Sequence, residues 1–161
     1  MLFRRGRFWR GSLKPHSGRA DAPVTYGAFG EGARPALLGS VAADSPSDWA
    51  RVAEDLWATA GGGELTVDVG NIIFDEGADT GVKKWSLADL KEPGDYFYDA
   101  EARQVTLRSK GNPAEGHRSR ELALKRHIID QSGRSYVTYE GLALRYGAAH
   151  GVGGSSVRGI V

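Results

Sequence analysis

The sequence predicts an all-β solenoid, on three observations. Glycine supplies 23 of 161 residues and is spread along the chain instead of gathered in one linker, which marks many tight turns. Between the turns stand short runs of β-branched and aromatic residues, such as Val24-Thr25-Tyr26 and Tyr136-Val137-Thr138-Tyr139. No segment supplies the helix that a βαβ crossover needs, so parallel strands in this chain have to be joined as coils. Val137 and Val157, each after a serine-rich turn, stand about one solenoid coil apart.

The individual strands follow from the punctuation. In the first third, glycine and proline cut the chain into runs at 1–5, 8–14, 23–29 and 35–41, with Ser17-Gly18 and Gly30-Glu31-Gly32 as turns. From 45 to 59 the spacing of Val52, Leu56 and Trp57 is near-helical, with Ser47 or Asp48 as cap; an aromatic-rich excursion off a sheet has the same signature. Gly61-Gly62-Gly63 ends that segment, and 64–74 is a β-type run with a bend at Gly70-Asn71. Residues 96–98 and 105–107 form a hairpin about 99–103, and with Trp85, Leu87 and Leu90 they predict an antiparallel insertion over 85–109. The last third reads as short strands at 121–124, 127–129, 136–139, 142–144 and 156–161, with Val137, Leu142 and Leu144 facing inward.

Composition narrows the function classes. A 40% hydrophobic and 25% charged chain is an ordinary folded one, and no apolar run is long enough for a membrane span. Without cysteine there is no disulfide framework and no thiolate-ligated zinc or iron–sulfur site. A net charge of +1 argues against a nucleic-acid partner, which calls for a broad positive field. Arg4, Arg5, Arg7, Arg10, Lys14 and Arg19 do precede the first acid, Asp21, as in a basic arm or transit peptide. They alternate with Leu2, Phe3, Phe8, Trp9 and Leu13, which is the pattern of solvated strand faces. No secretory leader is present, so an export signal for a secreted protein would lie outside this chain.

Leu2-Phe3-Arg4-Arg5-Gly6 and Phe8-Trp9-Arg10-Gly11, followed by Pro23-Val24-Thr25-Tyr26-Gly27-Ala28-Phe29-Gly30, resemble the first coils of bacterial right-handed parallel β-helix proteins of the pectate-lyase-like superfamily. Gly94-Asp95-Tyr96-Phe97-Tyr98-Asp99 with Val105-Thr106-Leu107 resembles their hairpin insertion, and Tyr136-Val137-Thr138-Tyr139-Glu140-Gly141-Leu142 the opening of their regular coils. The resemblance implies a right-handed parallel β-helix over 1–161, N-terminal part only and truncated at both ends, with the insertion at 85–109 inside it. It implies a scaffold segment of a secreted carbohydrate-active protein, of polysaccharide lyase or glycoside hydrolase type and inactive alone, or else a non-catalytic polysaccharide-binding or surface-associated one. A polysaccharide or oligosaccharide is the expected partner, outside the cell or at its surface. Self-association is expected through open β-helix ends, because Val157, Ile160 and Val161 read as a strand cut off in mid-course with Arg158 as its one gatekeeper.

Catalytic, cofactor and metal residues are each expected to number none. His16, His117, His127 and His150 show no ligand spacing, and His150, on a glycine-rich loop, is the best single candidate for a functional position, against the plainer reading of a turn histidine. Gly151-Val152-Gly153-Gly154-Ser155-Ser156 fails the dinucleotide and P-loop patterns and reads as a turn between coils. Asp95, Asp99 and Glu101 are explained by turn formation and solvation before catalysis, though a glycosidase needs only two carboxylates suitably spaced. Arg118, Arg120, Lys125 and Arg126 suit either acidic sugars or a solvated strand edge. Trp9, Trp49, Trp57 and Trp85 are candidates for stacking on sugars, each against the ordinary role of a core tryptophan.

Overall fold

The computed structural model describes residues 1–60 and 63–155, and the backbone of 158–160. Gly61 and Gly62 of the expected turn, and Ser156, Val157 and Val161 of the expected last strand, lie outside the described residues, as do the side chains of Arg158 and Ile160. The chain is all-β apart from short helical turns, and no helix among the described residues is long and apolar enough to cross a membrane.

In chain order the strands are β1 (Leu2–Arg4), β2 (Phe8–Arg10), β3 (Val24–Phe29) and β4 (Ala36–Leu38), then β5 (Ser40–Ala42), β6 (Trp49–Ala53), β7 (Leu56–Thr59) and β8 (Val69–Phe74). Next come β9 (Asp79–Thr80), β10 (Val82–Lys83), β11 (Asp95–Asp99), β12 (Gln104–Arg108), the single-turn helix α1 (Pro113–Gly116) and β13 (Arg120–Leu124). The last are β14 (Ile129–Asp130), β15 (Ser135–Tyr139), β16 (Ala143–Arg145), β17 (Val152–Gly153) and β18 (Arg158–Ile160). They fall into two compact units, Met1–Gly39 with Arg126–Val161, and Ser40–Lys125.

In the first unit every ladder is parallel. One sheet runs β1-β3-β15-β18, a second β16-β4-β2, and a third pairs β14 with β17 and is extended by a bridge from Leu13 to Ile129. The chain visits these ladders in a fixed order: β1, β2, Leu13; β3, β4, β14; β15, β16, β17. Parallel neighbours cannot be joined by a tight hairpin, and each connection here is made by a pass through the other two ladders. Backbone bonds carry the pairing past the strand ends, Leu13 N–H to Ile128 O at 2.8 Å and Gly39 N–H to Arg145 O at 3.0 Å. Val137 lies opposite Ile160, so the repeat is longer than the Val137-to-Val157 spacing suggested; Ile129 opposite Val152 has the same longer offset.

Phe3, Tyr26, Leu37, Ile128, Ile129 and Val137 form one buried cluster, with Leu142 and Leu144 half-buried against it. Val137 therefore faces inward as expected, and the two leucines pack at the margin of the same core. Gly18 is a point of close approach: a Cβ there would lie 2.6 Å from both Tyr136 O and Val24 N.

The second unit is antiparallel except between β10 and β11. Its sheets are β10-β11-β12-β7-β6 and β5-β13-β8-β9, and Trp49, Val69, Ile72, Phe74, Tyr96, Val105 and Leu122 are among the residues of its core. The segment 45–59 is not a helix. Only Pro46–Asp48 makes a 3-10 turn, capped by Ser45, whose N–H donates to Asp48 Oδ2 at 2.8 Å; the cap is therefore neither Ser47 nor Asp48. The rest is the β6–β7 hairpin, with Arg51 opposite Trp57 and Asp55 at φ 55° in its turn, so the apolar residues that mimic a helical period are divided between two strands. Gly70-Asn71 is not a turn, because both lie within β8, but the register slips there: Ala123 pairs with Asn71 and Leu124 with Val69, a bulge at Gly70 that kinks the strand. The observed hairpin β11–β12 pairs Tyr96 with Leu107 and Tyr98 with Val105.

Strand β13 is the inner strand between β5 and β8, which corrects the picture of a basic solvated edge. Arg120 at its start is only 2% exposed. Its guanidinium donates to Ala43 O at 3.1 Å, Asp44 O at 2.9 Å, Pro113 O at 3.1 Å and, closest, to His117 O. Replacing it with lysine keeps the charge but not the planar fork of donors. Arg120→Lys is expected to cost about 3 kcal/mol, and Arg120→Met a similar amount through the stranded carbonyls, read as a lowered urea midpoint. In the first unit, Gly18→Ala is expected to destabilise by about 2 kcal/mol because three backbone atoms leave no room for the methyl, whereas Gly116→Ala, in open space, is expected to be near neutral.

Candidate functional site

Among the described residues the most exposed large hydrophobic side chain is Trp85, 83% exposed, separated by Lys84 alone from the end of the short edge strand β10. A two-residue strand holds little alone, and its backbone is pinned on both sides: Gly81 N–H to Ile72 O at 2.8 Å, Val82 N–H to Gly94 O at 2.9 Å, and Lys84 N–H to Tyr96 O at 2.7 Å. Alternation along the strand then sends successive side chains apart. The Lys84 ammonium reaches inward to Asp95 Oδ1 at 3.2 Å, while Lys83 pairs with Asp68 and lies 5.7 Å from the centre of the Trp85 ring.

Asp95 is 2% exposed, so it is not the solvated turn carboxylate expected from the sequence. One of its oxygens accepts the N–H groups of Lys91 and Glu92, each at 2.9 Å, and the other takes Lys84. Burial pushes the Asp95 carboxyl up, but these donors outweigh it and hold its pKa below the ordinary 3.8. Asp95 is thus an anchor for the segment that carries Trp85. Asp99 does play the turn role, accepting from Glu101 and Ala102 N–H at 2.9 Å each.

Beside Trp85 lies an open groove of about 290 Å³ lined by Thr66, Asp68, Lys83, Phe97 and Tyr98 among others. Tyr98 is fixed from below by its hydroxyl donating to Leu65 O at 2.9 Å, and burial raises its pKa. The groove combines an exposed indole, a half-buried phenyl ring, and charged and hydroxyl groups at the rim. That combination offers an apolar face for one side of a ring and hydrogen-bond partners around its edge.

The other candidates separate. Trp49 is buried, donating its indole N–H to Ala43 O at 2.9 Å, and Trp57 is half-buried against the same core. Trp9 is partly exposed and sets its ring edge against Phe3 at 5.0 Å. His16 is exposed. His127 and His150 come together, 5.3 Å between ring centres, where Ile128 N–H donates to His150 O; the Nδ1 of His127 is buried with no hydrogen-bond partner among the described residues. Gly153 lies against that ring and Gly151 against Leu144, which fits the glycine-rich run as a close-packed turn. Arg118 and Lys125 are exposed and Arg126 half-buried, so with Arg120 inside the protein the four basic residues do not form one patch. Two pairings were hidden from sequence reasoning by distance along the chain: Lys83 with Asp68, and His117 with Asp75 at 3.0 Å.

No family model matches the chain, and no curated protein matches it. A solved structure described as a glycoside hydrolase is similar, with a TM-score of 0.47 and 10% identity over 91% of this chain and 43% of that one. The chain spans less than half the length of that structure. A likeness at this level names neither a fold nor an activity here.

Because the Asp95 pKa is depressed on folding, the carboxylate stabilises the protein above its unfolded pKa, and the contribution is lost as pH falls through the folded value. Asp95→Asn is therefore expected to lower the melting temperature at pH 7 and to flatten its fall below pH about 4, a comparison made by thermal unfolding across that range.

Proposed function

We propose that this protein binds polysaccharide or oligosaccharide through the Trp85 groove, as a non-catalytic carbohydrate-binding segment of a secreted or surface-associated protein. The observation that carries the reading is the exposure of Trp85 beside Phe97, on a segment pinned by three backbone bonds and by half-buried Lys84 paired with buried Asp95. A large aromatic held rigidly in water loses hydrophobic free energy unless something covers it, and pre-organisation lowers the entropy cost of that covering. The C–H face of a pyranose suits an indole surface, and Asp68, Lys83 and Thr66 are placed to meet its hydroxyls.

The scaffold in this reading is the start of a right-handed parallel β-helix, whose coils are the three successive passes through the parallel ladders. Support comes from the common order of the passes and, in the last pass, the shared offset of Ile129–Val152 and Val137–Ile160. The antiparallel unit, Ser40–Lys125, is then an insertion between β4 and β14, wider than the 85–109 hairpin alone. Lyase or hydrolase chemistry of the longer protein is the second class of function for the same scaffold. Self-association through β1 and β2 belongs to the proposal too, because these strands lie at the ends of their described sheets and carry exposed Leu2 and Phe8.

Titration of the chain with a panel of neutral and acidic oligosaccharides, followed by tryptophan fluorescence and calorimetry, tests the binding. For oligosaccharides longer than two rings, Trp85→Ala is expected to lower the affinity tenfold or more, with an unchanged melting temperature. Equal binding by wild type and Trp85→Ala, or none by wild type, overturns the assignment. Release of unsaturated or reducing ends from the same glycans would replace it with catalysis.

A further inference from the structure

The second unit holds another cavity, about 350 Å³, whose wall includes Asp79, Thr80, Arg108, Ser109 and His117. His117 is held there by three contacts. Its Nδ1 lies 3.0 Å from Asp75 Oδ2, its ring stacks on Phe74 with centres 4.2 Å apart, and its carbonyl accepts from the buried Arg120. Asp75 is in turn fixed by Arg118 N–H, 2.5 Å from Oδ1, and its pKa is lowered chiefly by the His117 hydrogen bond and this backbone N–H.

An ionised carboxylate only accepts, so the Nδ1 of His117 is the donor in this pair and the neutral ring keeps its lone pair on Nε2. Residues Asp75 and Glu76 stand at φ 51° and 61°, a left-handed backbone that is costly for non-glycine residues and persists where the surroundings impose it. The contacts that impose it hold the turn that aims Asp75 at the imidazole. Around the ring the cavity offers two hydroxyls, a carboxylate and a guanidinium, and the Arg108 guanidinium makes long contacts, 3.4 Å to Leu90 O and 3.8 Å to Asp55.

We propose that this cavity is a second ligand site, for a small polyol of one or two sugar rings, and that Nε2 of His117 accepts a hydrogen bond from a ligand hydroxyl. The mixture of acceptors and donors around the ring suits hydroxyl groups, which both give and take, better than an apolar molecule or a bare ion. The site uses no residue of the Trp85 groove and does not depend on it.

Long-range proton–nitrogen spectra of the imidazoles, with His117 assigned from His117→Gln, read the proposal directly. Before ligand, His117 is expected to show the tautomer protonated at Nδ1, and Asp75→Asn to shift it toward the other. Titration with glucose, galactose, maltose and glycerol is expected to move the His117 Nε2 resonance saturably with at least one of them, equally in Trp85→Ala. Where Asp75→Asn fails to fold, saturation transfer to the same ligands supplies the second readout, expected to be retained by Trp85→Ala and lost when His117→Gln is added to Trp85→Ala in a folded protein. A His117 resonance that no ligand moves, the opposite tautomer in the free protein, or loss of all transfer in Trp85→Ala would each overturn the site.

Discussion

A guanidinium taken out of water must find acceptors for its donors, and Arg120 finds them in the carbonyls of four residues spread along the chain from Ala43 to His117. The same residue's backbone N–H donates to Asp44 Oδ1 at 2.6 Å, and a guanidinium nitrogen lies 3.4 Å from that oxygen. One side chain thereby joins the strand β13, the segment after β5, the helical turn α1 and the His117 loop. Carbonyl oxygens at such junctions have no ladder partner, and leaving them dry would cost more than burying the one cation that satisfies them all. Lysine would bring the charge without the geometry. The core residues Phe74, Leu122 and Leu124 keep their register because the ends of their strands are tied at this point.

Among its described residues, the first unit solves the same backbone problem without any buried charge. Its parallel strands are two to six residues long, and none has a hairpin partner, so every N–H and C=O looks to a pass of the chain before or after it. Close stacking makes glycine necessary only where backbones nearly touch, as at Gly18 and at Gly39, where a Cβ would meet Ile128 at 2.8 Å. The abundance of glycine in the sequence is therefore a sign of two different needs, turns with positive φ such as Gly30 and Gly133 and close contacts such as these.

This difference between the units explains what was legible beforehand. β3, β15 and the β11–β12 hairpin announce themselves by β-branched and aromatic runs bounded by turn residues, and the strands were found within a residue or two of their predicted places. The 45–59 segment was ambiguous because Val52, Leu56 and Trp57 keep a helical spacing by accident of a hairpin that a positive φ at Asp55 makes tight, and nothing local distinguishes the two. Arg120 and Asp95 defeated composition-based reasoning, since charged residues are usually solvated and only their partners reveal an exception. Trp85 stood among four tryptophans with equal claims, and burial alone separates it from Trp49.

Both candidate sites depend on the same economy of a carboxylate. Asp95 and Asp75 each accept backbone N–H groups with one oxygen and hold a cation-capable side chain with the other, Lys84 in one case and His117 in the other. The backbone bonds fix the carboxylate, and the fixed carboxylate then fixes a side chain that lies far from it in the chain. In the first site that side chain belongs to the residue directly before the exposed indole. In the second it is itself the group offered to the cavity. A ring that must meet a ligand from solvent cannot be immobilised by burial, so its orientation has to be imposed from one edge, and an ionised carboxylate held by main-chain donors is a strong such constraint in a chain without cysteine.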